Sequence, residues 1–122
     1  MAGKIVHFEL VASDADRASG FWNGLFGWHI GASTMEGFDY RMFQNAEDQG
    51  GAVYPAQEGQ SPGAAIIYFD TDDIEESIAK VRTLGGTSDD RHPIAHVGWF
   101  THCTDTEGNE FSLFQRDETV TG

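Results

Sequence analysis

The chain has 122 residues, 39% hydrophobic and 22% charged, which is ordinary for one globular domain with a core of its own. Twenty Asp and Glu against seven Lys and Arg give a net charge of −13 at pH 7, which argues against nucleic acid and membrane as partners. No apolar run approaches the ~20 residues that span a bilayer, no secretory segment opens the chain, and Cys103 is the single cysteine, so we expect a cytoplasmic protein.

The first half of the chain predicts a strand, a helix and then short strands. The opening strand, Lys4 to Val11, alternates between an apolar set and a second set that contains His7 and Glu9. A helix is predicted from an N-cap at Asp14 to a C′ glycine at Gly27, because apolar residues between them follow helical spacing. The strands predicted after it are Trp28 to Ser33, Phe38 to Phe43 and Gly51 to Tyr54.

The second half repeats this order after a polar linker at residues 55–63. A strand from Ala64 to Phe69 precedes a helix predicted between Asp72 and Gly85, and apolar residues again recur along it at helical spacing. The strands predicted after this helix are a weak one near Thr87, then Gly98 to Thr104 and Glu110 to Gln115. Each half therefore reads as β-α-β-β-β.

A turn built on Asp, Gly and Asn at residues 105–109 joins the last two strands into a hairpin. A first strand carrying His7, two β-α-β-β-β halves and this closing hairpin resemble the vicinal oxygen chelate superfamily. That superfamily holds glyoxalase I, extradiol dioxygenases and bleomycin-resistance proteins. The resemblance implies an α+β fold in which two βαβββ modules form a half-open barrel around a cleft. A ferredoxin-like sheet, the competing fold, would need fewer strands.

The resemblance also implies one domain over residues 1–122. Module one is expected at about 4–54, the linker at 55–63, module two at about 64–115 and a C-terminal tail at 116–122. The superfamily also leads us to expect a homodimer, because two small half-barrels would otherwise leave apolar sheet edges exposed.

The metal ligands of the superfamily do not all have counterparts here. His7 falls at the first ligand position, but Ile66 falls at the second and Ser112 at the final one. Near the remaining position the chain offers only Gly50, Gly51 and Ala52. Zinc or nickel needs three or four nitrogen, sulfur or carboxylate donors. We therefore expect no metal and no other cofactor.

A catalytic set without the family's metal site is still possible. His102 is expected on the cleft face of its strand, because Trp99, Thr101 and Cys103 form the more apolar alternating set. His7, Glu9 and His102 would then be candidate acid and base groups for proton abstraction beside a carbonyl. The same three residues could alternatively form a rearranged metal site, or be ordinary polar groups on a wet sheet face.

Aromatic and polar residues supply candidate ligand-binding positions along the same cleft. A site with several aromatic side chains and few polar anchors suits a planar or amphipathic small molecule. The loop Arg91 to Gly98, with His92 and His96, is expected to cross the mouth of the cleft. The predicted ligand-binding residues are Tyr40, Met42, Tyr54, Ile66, Tyr68, Trp99, Phe100, Glu110, Ser112 and Phe114.

Two functions therefore remain open from the sequence. In one, the protein binds a small aromatic or amphipathic molecule without transforming it, as bleomycin-resistance proteins do. In the other, it is a glyoxalase-like lyase or isomerase that uses His7 and Glu9, with or without His102. Whether the chain is an enzyme stays undecided at this stage, because one fold serves many activities.

Overall fold

A computed structural model describes residues 2–121. The chain divides into two compact units, one formed by His7–Ile66 and the other by Met1–Val6 together with Ile67–Gly122. Met1 and Gly122, the outermost residues of the predicted domain 1–122 and of its predicted tail, lie outside the described residues.

The described residues form eight strands and two helices, so the predicted α+β class is confirmed. Neither of these helices is long and apolar enough to cross a membrane. In chain order the elements are β1 Ile5–Ala12, α1 Ala15–Phe26, β2 Arg41–Ala46, β3 Gln49–Pro55, β4 Ala65–Asp70, α2 Ile74–Thr83, β5 Thr87–Ser88, β6 His92–Ile94, β7 Gly98–Thr104 and β8 Glu110–Arg116.

In the unit His7–Ile66, β3 is the central strand, parallel to β1 and antiparallel to β2. Phe8 and Leu10 of β1 pack against a buried cluster to which α1 contributes Ala15. Because side chains alternate along a strand, His7 and Glu9 lie on the opposite face of this sheet. The predicted division of β1 into an apolar face and a polar face is therefore confirmed within this unit.

In the other unit, β8 pairs in parallel with β4 and in antiparallel with β7, which also pairs with β5 and β6. Cys103 lies in a buried cluster with Ile74 and Ile78 of α2, and Trp99 packs against it. The predicted helix-facing side of β7 is thus confirmed, and His102 lies on the other side.

The helix ends show how local sequence sets these elements. Asp14 caps α1 by accepting a hydrogen bond from the Arg17 amide, and Gly27 ends the helix in the left-handed conformation, as predicted. In the second helix the N-cap is Asp73, one residue after the predicted Asp72, because its side chain accepts from the Glu76 amide. Gly85, with φ of +97°, still follows the end of that helix.

The predicted strand Trp28 to Ser33 is wrong. The side-chain amide of Asn23 donates to the Ile30 carbonyl and its oxygen accepts from the Ile30 amide, so a side chain takes the place of a pairing strand. The predicted strand Phe38 to Phe43 begins late, at Arg41. The loop predicted over Arg91 to Gly98 contains the short strand β6, which pairs with β7.

Candidate functional site

One face of the unit His7–Ile66 carries the polar side chains of His7 and Glu9 in β1. The neighbouring strand β3 has only small residues beside them. The strand register sets Gly50 beside His7 and Ala52 beside Glu9. A Cβ atom on Gly50 would stand 2.6 Å from the Phe43 carbonyl oxygen, so the backbone packing itself requires glycine here. The neighbouring strand therefore contributes almost no side-chain bulk beside His7 and Glu9.

A phenol joins the two polar groups of this face. The Tyr40 hydroxyl donates to Oε2 of Glu9 over 2.6 Å, and Nε2 of His7 lies 2.7 Å from the same hydroxyl. Nε2 of His7 and Oε2 of Glu9 are 4.0 Å apart. Histidine, phenol and carboxylate therefore form one hydrogen-bonded network, which we call the His7–Tyr40–Glu9 network.

Burial and bonding together assign the protons of this network. Burial lowers the pKa of His7 to about 4, so its imidazole is neutral at pH 7. The single phenolic proton of Tyr40 is donated to Glu9, which leaves Nε2 of His7 as the donor to the phenol oxygen. The basic lone pair of the imidazole is then on Nδ1. Glu9 itself is only 5% exposed.

Aromatic rings surround the phenol. The ring centroids of Phe38, Tyr40 and Tyr54 are 5.4 to 5.8 Å apart, so the three rings pack against one another. The Tyr54 hydroxyl accepts a hydrogen bond from the Gln60 side chain over 2.7 Å. Met42 lies beside Ala52 in the register, on the same face, and is 61% exposed.

The segment before β2 is held in place around Tyr40. The Ser33 hydroxyl donates to the Phe38 carbonyl over 2.9 Å and accepts from the Tyr40 amide over 3.0 Å. Next to Tyr40, the Arg41 guanidinium binds both carboxylate oxygens of Asp39 and also pairs with Asp16 in α1. The hydrogen bonds from Arg41 lower the pKa of Asp39. Both contacts fix the backbone from which Tyr40 reaches His7 and Glu9.

Comparison with known proteins identifies the family. A sequence model of the glyoxalase-like domain matches residues 6–114. A glyoxylase-like domain-containing protein of Didymella fabae is 31% identical to this chain in an alignment of 122 positions, which covers 93% of this chain and 94% of that protein. The chain belongs to the glyoxalase-like domain family.

Solved structures show the same fold for this glyoxalase-like domain at low sequence identity. The hypothetical protein BH1468 from Bacillus halodurans C-125 superposes with a TM-score of 0.72 at 14% identity, over 98% of this chain and 99% of that chain. Methylmalonyl-CoA epimerase from Mycobacterium tuberculosis superposes with a TM-score of 0.71 at 11% identity, over 94% of this chain and 88% of that chain. The predicted membership of the vicinal oxygen chelate superfamily is confirmed.

The unit that contains residues 67–122 carries a different group of predicted residues. Nδ1 of His102 lies 3.0 Å from the Ser112 hydroxyl. Phe100 lies between His92 and His102, with ring centroids 5.3 and 5.5 Å away. The register sets this group on one face of β4, β7 and β8, together with Tyr68, Glu110 and Phe114.

Two further predicted ligand-binding residues are Trp99 and Ile66. Trp99 lies on the helix-packed side of β7, where the Arg91 guanidinium sits 3.7 Å from its ring centroid. It therefore lies on the opposite face of β7 from Phe100. Ile66 is a buried core residue of β4 at 6% exposure.

The donor set of this glyoxalase-like domain does not fit a divalent metal. Gly50, opposite His7, has no room for any side chain, and Ile66 offers no donor atom. The Ser112 hydroxyl contacts His102 and is a neutral ligand at best. Within residues 2–121, no three His, Cys, Asp or Glu side chains gather closely enough to hold a metal ion. The expected absence of metal stays a prediction for direct analysis.

Sequence reasoning selected Tyr40 as a ligand contact but missed its place between His7 and Glu9. It also missed Phe38, Ser33 and Arg41. The local signal was the density of aromatic and charged residues over 38–41, whereas the contacts of Tyr40 with His7 and Glu9 join positions 33 and 31 residues apart.

Proposed function

We propose that this glyoxalase-like domain binds a small aromatic or amphipathic molecule at the His7–Tyr40–Glu9 network. The observation that carries the proposal is the network itself, which joins a neutral imidazole, a phenol and a buried carboxylate. A flat molecule could lie against exposed Met42, with one polar group directed at the network.

Charge favours a neutral or cationic ligand over a phosphorylated one. The carboxylate of Glu9 stands at the centre of the proposed site, and the whole chain carries a net charge of −13. Arg41, the cation nearest in sequence to Tyr40, is bound to Asp39 and Asp16. Such a field raises the local concentration of cations and lowers that of anions.

A second function, acid and base catalysis, is favoured by the same contacts. The imidazole of His7 and the carboxylate of Glu9 belong to one hydrogen-bonded network, so the two groups could together move a proton from a carbon beside a carbonyl. One protein of the same fold is methylmalonyl-CoA epimerase. A group that removes a proton from carbon and exchanges it with solvent leaves a deuterium label when the solvent is D2O.

A thermal-shift screen of neutral, cationic and phosphorylated aromatic compounds tests the binding proposal, because a ligand of the folded state raises Tm with occupancy. We expect hits among the neutral and cationic compounds. Tyr40→Phe should weaken them about tenfold, since one hydrogen bond to a charged or polar group is lost. Leu84→Ala, an exposed residue at the end of α2, is the matched control and should leave binding unchanged. If the compounds bind Tyr40→Phe as tightly as they bind the parent protein, the ligand site lies away from the His7–Tyr40–Glu9 network.

Deuterium exchange separates the two functions. Each confirmed ligand with a hydrogen beside a carbonyl is incubated with the protein in D2O and analysed by mass spectrometry. Incorporation that disappears in His7→Ala while binding persists would establish catalysis. A bound ligand that gains no deuterium beyond the protein-free control would leave binding as the function.

Two wider features belong to the same proposal. We propose that the protein is a homodimer, as the superfamily resemblance suggests, and that it works in the cytoplasm. Its one cysteine, Cys103, is buried, and burial raises the pKa of this thiol, as suits a structural thiol in a reducing compartment. Light scattering at several concentrations tests the dimer, and a strict monomer at high concentration would contradict it.

A further inference from the structure

Helix α1 exposes large apolar side chains. Phe21, Leu25 and Phe26 are 61%, 55% and 58% exposed, whereas the helix buries only the small residues Ala15 and Ser19. The exposed rings are not loosely placed, because Phe21 and Phe26 both pack against Trp22, with centroids 5.2 and 5.9 Å away. Contiguous apolar surface of this kind marks interaction sites on soluble proteins.

The same region is the least charged part of a strongly acidic chain. From residue 18 to residue 35 the sequence contains no Asp, Glu, Lys or Arg. The only charged residues of α1, Asp16 and Arg17, lie in its first turn. Two copies of a chain with net charge −13 repel each other over most of their surfaces. They can approach with the least repulsion through the part of α1 from residue 18 onward, which carries no charged side chain.

Two glycines shape the outward side of the helix. Gly20 and Gly24 are four residues apart, so they lie one above the other, and each is followed by an exposed apolar residue, Phe21 or Leu25. A Cβ atom on either glycine would meet nothing within 4 Å. Glycine inside a helix is destabilising, and the packing within the chain does not require it at these positions.

We propose that a second copy of this chain docks on α1, helix against helix across a two-fold axis. Phe21 and Leu25 form a ridge that runs beside the groove left by Gly20 and Gly24. In an antiparallel crossing each ridge enters the partner's groove, which is the commonest way in which helices pack. The surface is self-complementary, as a two-fold dimer interface must be. The inference rests on the homodimer proposed above and assigns its contact surface.

Sedimentation velocity on the full chain, from about 1 µM to about 300 µM, measures the dimer. We expect Phe21→Glu to raise the dimer Kd about tenfold or more, because it buries a charge at the centre of the contact. Leu84→Glu is the matched control, since Leu84 is 75% exposed on the other helix and lies outside the proposed surface. It should leave the Kd within about twofold of the parent value.

Gly24→Ala separates dimer contact from folding. Alanine has room in the isolated chain and favours helix, so the Tm of the monomer should stay the same or rise. The added methyl group fills the groove, so the dimer Kd should rise. Added salt should lower the Kd of the parent protein, because it screens repulsion between the two acidic chains.

Three results would overturn the assignment. A dimer whose Kd is unchanged in both Phe21→Glu and Gly24→Ala would use another surface, and the homodimer proposal would survive without α1. A dimer that weakens with added salt would be held by ion pairs. A parent protein that stays monomeric at every concentration would remove both proposals.

Discussion

His7 and His102 occupy similar places in the two units and differ in what stands behind them. Each lies on the sheet face turned away from the helix of its unit, with a ring nitrogen 2.7 Å or 3.0 Å from a hydroxyl, that of Tyr40 or of Ser112. Behind Tyr40 stands the buried carboxylate of Glu9, whereas His102 is an exposed residue. A hydroxyl contacts the imidazole in both units, but in the unit His7–Ile66 burial also keeps the imidazole neutral, because it lowers the pKa of His7 to about 4.

Removing the hydroxyl from each histidine should show the largest difference. Tyr40→Phe leaves the buried Glu9 without the phenolic donor and His7 without its acceptor, so we expect a loss of about 2–3 kcal/mol in the free energy of unfolding. Ser112→Ala removes one neutral hydrogen bond to exposed His102 and should cost about 1 kcal/mol. Urea unfolding at pH 7 measures both. Equal losses would mean that Glu9 adds nothing to the Tyr40 contact.

The burial of His7 should make stability depend on pH. With a folded pKa of about 4 against about 6.5 when unfolded, the unfolded chain binds the extra proton between these values, so stability falls as pH drops through this window. Between about pH 7.5 and about pH 5 the contribution of His7 amounts to about 2 kcal/mol. Urea unfolding of the parent protein and of His7→Gln at both pH values isolates the contribution of His7, because the two proteins have all other titrating groups in common. Identical pH dependence in the two proteins would show that His7 protonates freely in the folded state.

Ser33 holds the loop before Tyr40 in place, so its loss should lower stability by a smaller amount and disturb His7 alone of the two histidines. Ser33→Ala removes the hydroxyl that binds the Tyr40 amide and the Phe38 carbonyl, and it should cost about 1 kcal/mol of unfolding free energy. NMR of the imidazole protons should show His7 shifted and His102 unmoved. Ser13→Ala, which removes an exposed contact to Arg17, is the matched control and should move neither signal. A shift of His102 as large as that of His7 would contradict this account of the loop.

The smallest expected effect is that of metal. Because Gly50 has no room for a donor side chain opposite His7, added zinc or nickel should change Tm by less than about 1 °C. Untagged protein should contain no stoichiometric metal by mass spectrometry. One bound equivalent that is lost in His7→Ala would reveal a rearranged site, and the network would need a new interpretation.

The parts of the fold that sequence predicted are those fixed by local chemistry. Asp14 and Gly27 delimit α1 because capping acts within a few residues, and alternation alone separated Phe8 from His7. The strand expected at 28–33 failed because Asn23, from the preceding helix, occupies the backbone groups of Ile30. Strand β6 was missed because it is only three residues long and contains Pro93, and proline is unfavourable in strands.

The candidate site was predictable only in part for the same reason. His7 and Glu9 share a face by their spacing of two, which the sequence shows directly. Tyr40 joins them across a separation of 31 residues, through a loop whose shape depends on Ser33. No periodicity in the chain encodes that contact. The composition near Tyr40 pointed to an aromatic site without revealing that its phenol links the imidazole to the carboxylate.

The contact between Asn23 and Ile30 affects the rate at which Asn23 deamidates. Asn23 precedes Gly24, and asparagine deamidates most readily before glycine, because the unhindered glycine amide can attack the side-chain carbonyl. In the intact helix both polar atoms of this side chain are engaged by Ile30, which holds it away from that attack. If the end of α1 opens and the reaction occurs, a carboxylate replaces the amide that donates to the Ile30 carbonyl. The segment that follows α1 would then lose one of the two hydrogen bonds that hold Ile30 to Asn23.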